Sequence, residues 1–126
     1  HLYLDFVPDE EMADYVRCAD AVVLPYRKIT TSGAAILAAS YYRPVVAPDI
    51  GLLRDYLTPE VSILYDPSKP GALAQAMKEM KRRKAEFQTA SRYDPLLQEL
   101  GWERISRQFL EIYDDGKSRV QVSACP

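Results

Sequence analysis

The sequence predicts an α/β fold in which a parallel sheet is flanked by helices. Ala21-Val22-Val23-Leu24 and Pro44-Val45-Val46-Ala47 are continuous apolar runs without alternation, the pattern of strands buried on both faces. Segments of helical periodicity lie between and around them. Strands alternating with helices at this spacing specify parallel βαβ units, whose right-handed crossovers put helices on both sheet faces.

The elements follow in order. Leu2 to Phe6 is a short apolar run holding one aspartate and reads as a first strand. Pro8-Asp9-Glu10-Glu11 supplies the proline and acids favoured in a first helical turn. Met12, Tyr15, Val16 and Ala19 then fall at i, i+3, i+4 and i+7, one apolar stripe. Asp20 closes that helix before the strand 21–24. Pro25 opens a polar stretch to Gly33, and Ala34 to Ser40 is an alanine-rich helix capped by Thr31 or Ser32. After the strand 44–47, Asp49-Ile50-Gly51 leads to a short helix near Leu52 to Leu57, and Ser62 to Tyr65 reads as a fourth strand. The turn cluster Asp66 to Gly71 starts a helix with Leu73, Met77 and Met80 on one side. From Lys78 the chain stays helical or nearly so, with a break expected at Asp94-Pro95, because proline disfavours helix in the residue before it. Trp102, Ile105, Phe109, Ile112 and Tyr113 make Gly101 to Tyr113 an amphipathic closing helix whose stripe has to cover something large. Asp114-Asp115-Gly116 is expected to end it. One domain over residues 1–115 and a tail over 116–126 result.

Composition bounds the function. A chain of 126 residues admits one domain. With 48% hydrophobic and 27% charged residues it has the balance of an ordinary globular protein, and no apolar run approaches the roughly 20 residues of a spanning helix. A net charge of −2 gives no basic field for a nucleic-acid backbone, so nucleic acid is not an expected partner. Cys18 and Cys125 are too sparse for a disulfide scaffold, which points to a cytoplasmic location. The start, His1-Leu2-Tyr3-Leu4, has neither an initiator Met nor signal-peptide zones and reads as part of a longer chain. His1 is the sole histidine, so Ser-His and Cys-His nucleophilic arrangements lack support, as do zinc-type spacings, and no metal or cofactor is expected. Neither a Gly-x-Gly-x-x-Gly fingerprint nor a Walker loop occurs.

Ligands of open parallel sheets bind beyond the carboxyl ends of the strands. The first loop there, Pro25 to Gly33, combines the hydroxyls of Thr30, Thr31 and Ser32 with Gly33 and the cations Arg27 and Lys28. Unpaired N–H groups and the dipole at a helix start favour phosphate, so Thr30 to Gly33 is a candidate diphosphate cradle; the alternative is a plain helix cap. In the second loop, Asp49 is a candidate acceptor for a sugar hydroxyl or else a cap, and Gly51 permits a turn. The basic group Lys78, Lys81, Arg82, Arg83 and Lys84 either complements a helix end or draws the protein to anionic lipid.

In this order, Phe6-Val7-Pro8-Asp9-Glu10-Glu11-Met12, Ala19 to Tyr26, Thr31-Ser32-Gly33, Arg43 to Gly51, Asp66-Pro67 before Leu73 to Met77, and Trp102-Glu103-Arg104-Ile105 resemble the C-terminal domain of the group 1 family of retaining glycosyltransferases. That family has the GT-B fold of two facing Rossmann-like domains, so the resemblance implies a truncated C-terminal half. It further implies a nucleoside diphosphate sugar donor and a polysaccharide or lipid-linked acceptor. The resemblance implies as well an N-terminal domain across the cleft, and the basic group adds peripheral contact at the inner membrane face as an expectation. By the same resemblance, Ser32 and Gly33 meet the diphosphate through backbone N–H groups beside Thr30 and Thr31, while Tyr26 and Arg27 face the cleft. One departure stands out: Ile29 and Leu37, or Ala38 with a one-residue gap, occupy the places of two family glutamates spaced eight apart. Ribose contact then follows another pattern, as in a bacterial polysaccharide-assembling branch with a Ser-Gly-Ala-Ala-like helix start. The alternative is a degenerate, non-catalytic assembly or signalling module.

Overall fold

The computed structural model describes residues 5–119, with side chains described as far as Asp114. Three parallel strands, β1 (Val22–Val23), β2 (Val45–Pro48) and β3 (Ser62–Tyr65), form a sheet in the order β1-β2-β3. Val22 pairs with Val45, and Val45 to Pro48 pair with Ser62 to Tyr65. The central strand is β2, every residue of which is buried. Its side chains divide between two helical layers. Val45 and Ala47 meet Ala35 and Ala38 of α2 (Gly33–Ser40) and Leu53 of α3 (Leu53–Tyr56). Val46 meets Ala76 and Met80 of α4 (Ala72–Arg82) together with Phe87. The alanines of α2 are its buried face, and their small side chains let the helix lie close against β2.

The first helix, labelled α1 (Asp9–Cys18), carries Asp9, Glu10 and Glu11 in its first turn, where they complement the dipole. Its far end is held by Arg43, whose Nε donates to the Val16 carbonyl at 3.3 Å and whose guanidinium also donates to the Arg17 carbonyl. Met12, Val16 and Ala19 are half-buried while Tyr15 is exposed.

Several boundaries differ from expectation. In the first predicted strand, Leu2 to Phe6, residues 2–4 lie outside the described residues, and Asp5 and Phe6 are not in a strand. Ladder pairing in β1 covers two residues rather than 21–24, because Pro25 has no N–H and Tyr26 N–H turns back to the Leu24 carbonyl. The interruption expected at Asp94-Pro95 comes earlier: α4 ends at Arg82, and 3-10 turns over Lys84–Gln88 and Ala90–Arg92 follow. Asp94-Pro95 instead opens α5 (Asp94–Glu99), since a proline in the first turn gives up no helical hydrogen bond. The last helix, α6 (Trp102–Arg119), runs through Gly116 rather than ending there; one glycine costs only about 1 kcal/mol relative to alanine. Most of its apolar stripe is exposed, with Trp102 83%, Phe109 69% and Ile112 72% exposed, while Ile105 is half-buried. None of the described helices is long and apolar enough to cross a membrane.

A third cluster joins Ala39, Val61, Leu96 and Tyr93. Tyr93 is fully buried, donates to the Phe87 carbonyl at 3.0 Å and meets Tyr42 edge-on. Burial pushes its phenol up to about 12, against the opposing pull of Arg43 and Arg92. Because the folded value is the higher one, the contribution to stability is complete below about 10, the unfolded tyrosine value. It is lost as pH rises through about 12. Urea denaturation across that window is expected to show a steep loss of stability in the wild type and a shallower one in Tyr93→Phe; equal slopes would contradict the burial of this phenol.

Candidate active site

The loop after β1 is organised by Ser32, which is 3% exposed and takes an extended backbone as the N-cap of α2. Its hydroxyl oxygen accepts from Ala35 N–H at 3.1 Å and shares a 2.9 Å hydrogen bond with the Tyr26 hydroxyl. Its own N–H, expected at the diphosphate, instead donates to the Tyr56 hydroxyl at 3.0 Å and is committed within the protein. Of the two caps the sequence offers, Ser32 is the one used, and Thr31 is exposed beside it. Ile36 N–H bonds the Ser32 carbonyl, so the helix-start amides left without an intrahelical partner are those of Gly33 and Ala34. Both residues are exposed, and a Cβ built on Gly33 would meet nothing within 4 Å. Thr30, Arg27 and Lys28 are exposed on the same loop.

The second loop docks on the first. Gly51 has φ +60°, and a Cβ there would lie 3.0 Å from the Thr30 carbonyl oxygen and closer still to that of Ile29. Leu52 N–H donates to the Thr30 carbonyl at 3.0 Å. Gly51 is therefore required by close approach as well as by the turn. Asp49 is turned to a different place: it lines a cavity of about 500 Å³ with Arg54, Thr58, Ser62, Ile63 and Arg83. There its Oδ1 is 3.0 Å from Arg54 Nε as an ion pair, while no hydrogen bond reaches that oxygen. Tyr26, Ser32, Gly33, Thr30 and Gly51 are thus gathered around the start of α2, and Asp49 belongs with Arg54.

The residue that sequence reasoning missed is Tyr56. Burial raises its phenol above the ordinary tyrosine value; the Ser32 N–H pulls the other way and nearby Tyr26 adds to the rise. It is a neutral hydroxyl at physiological pH. The basic group is largely paired: Arg82 grips Glu79 through Nε at 3.0 Å and Nη2 at 2.6 Å, Arg83 meets Glu86, and Lys84 meets Asp20 at 2.6 Å.

Residues 2–82 match the family described as Glycosyl transferases group 1. The chain belongs to this glycosyltransferase family. Among solved structures, the sucrose-phosphate synthase of Thermosynechococcus elongatus is similar, with a TM-score of 0.79 and 26% sequence identity over 93% of this chain. This chain spans 30% of that synthase's length. Among curated proteins none matches the sequence. A three-stranded parallel sheet flanked by helices agrees with the Rossmann-like, GT-B half expected. At the positions where the resemblance expects glutamates, Ile29 is partly buried against the α2–β2 core, Leu37 is half-buried and Ala38 is buried in this glycosyltransferase domain.

The two glycines separate structural from other demands. Gly51→Ala is expected to lower stability by about 2 kcal/mol or more, through the left-handed backbone and the collision with the Ile29 carbonyl. Gly33→Ala, with open space around it, is expected to stay within about 0.5 kcal/mol of the wild type. Chemical denaturation of both variants checks this, and the reverse ranking would refute the arrangement of the two loops.

Proposed function

We propose that this domain holds the diphosphate of a nucleoside diphosphate sugar at the start of α2, within an enzyme that transfers the sugar to a hydroxyl of a polysaccharide or lipid-linked acceptor. The observation that carries this reading is the pair of exposed, uncommitted amides of Gly33 and Ala34 at the carboxyl end of β1, with clear space in front of Gly33. Helix-start amides favour oxyanions, and Thr30 and Thr31 stand beside them. The protein's part in the chemistry is electrostatic: the two N–H groups and Arg27 stabilise negative charge as it gathers on the departing diphosphate. An N-terminal domain across the cleft completes the enzyme and receives the acceptor. Ile29 and Leu37, as apolar side chains, favour a second reading in which the domain keeps the fold for assembly alone.

Gly33→Pro separates the two. Gly33 is the first helical residue, where proline is well tolerated, and Ser32 at ψ 108° already has the extended backbone that precedes proline. The substitution removes one amide hydrogen and spares the helix. Calorimetric titration of the full-length protein with UDP, GDP and ADP is expected to show one nucleotide binding in the micromolar to millimolar range, about 4 to 8 kcal/mol. Gly33→Pro is expected to weaken it about 10- to 100-fold, the worth of a hydrogen bond to a charged oxygen. Absence of binding by the wild type favours the assembly reading.

A further inference from the structure

Tyr56 acts on the start of α2 from 24 residues away in sequence, and neither periodicity nor motif singles it out. Its position is fixed from both sides, since Leu53 and Leu57, on either side of it, are fully buried and anchor α3 to the core beneath α2. Its phenolic oxygen takes the N–H of Ser32, a residue 3% exposed. An amide in so little-exposed a residue is costly to leave without a partner. With that amide held inward and the Ser32 hydroxyl occupied by Ala35 and Tyr26, rotation of the cap is blocked at both of its polar groups. The amides of Gly33 and Ala34 are then left at the open end of the helix.

We infer that Tyr56 is a positioning residue for the diphosphate subsite: by binding the Ser32 N–H it orients the Gly33 and Ala34 N–H groups toward the anion. This rests on the donor-binding reading above. The phenol is a support for the cap rather than a plug that a ligand has to displace, because the Ser32 N–H already has its partner within the protein while the exposed residues are Gly33 and Ala34.

The test uses the full-length protein, the tightest-binding of UDP, GDP and ADP, the matching nucleoside, and inorganic pyrophosphate. Tyr56→Phe is expected to raise the dissociation constants of the nucleoside diphosphate and of pyrophosphate by the same factor, about tenfold, and to leave the nucleoside unchanged. A purely structural loss weakens binding of all three together and would overturn the inference. Equal affinity of Tyr56→Phe and wild type, in a protein that Gly33→Pro cripples, overturns the inference and leaves the donor site standing. Indifference to Gly33→Pro as well removes site and inference together. Amide NMR of the wild type provides a second readout if Tyr56→Phe fails to fold. Saturating ligand is expected to move the Gly33 and Ala34 resonances most and to leave the Ser32 amide protected from exchange; deprotection of Ser32 on binding would make the phenol a plug and overturn the assignment.

Discussion

A strand buried on every residue has to find partners for all of its backbone groups within the protein. Here that strand is β2, and its need is met by parallel pairing to β1 on one side and β3 on the other. The register that results sets the ends of β1 and β2 side by side. The loop after β2 consequently runs against the loop after β1, close enough that Gly51 meets the Ile29 and Thr30 carbonyls with no room for a side chain. Helices on both faces follow from the same constraint, since Val45 and Ala47 need cover on one face and Val46 on the other.

Within that frame the start of α2 is set by one buried serine. Ser32 spends its hydroxyl and its N–H on interior partners, so the polar groups that a helix start must expose fall to the next two residues. Two tyrosine hydroxyls, rather than a carboxylate, hold this cap. The cap therefore brings no fixed negative charge near the exposed amides, and the helix dipole acts there unopposed by the residues that orient it.

The sequence made the layers legible and the junctions not. The Val45-Val46 run and the alanines of α2 identify a strand buried on both faces and a close-packed helix from local pattern alone. Thr31 and Ser32 carry the same hydroxyl, and the choice between them is made by Tyr26 and Tyr56, partners 6 and 24 residues away, which no local pattern encodes. Gly51 was readable as a turn, while its contact with Ile29 depends on loop docking. The end of α6 was misplaced because Asp114-Asp115-Gly116 resembles a stop, yet a single glycine is a small cost in an 18-residue helix. Asp49, legible as an acceptor at a strand end, is claimed by Arg54, a pairing decided by the turn between them.

These features make the account a claim about where negative charge comes to rest. A crystal structure of the full-length protein with its bound nucleoside diphosphate sugar tests it most directly. The account predicts diphosphate oxygens within hydrogen-bond distance of the Gly33 and Ala34 nitrogens, with the Ser32 to Tyr56 bond intact. A pyrophosphate seated elsewhere, with those two amides facing only water, would contradict it.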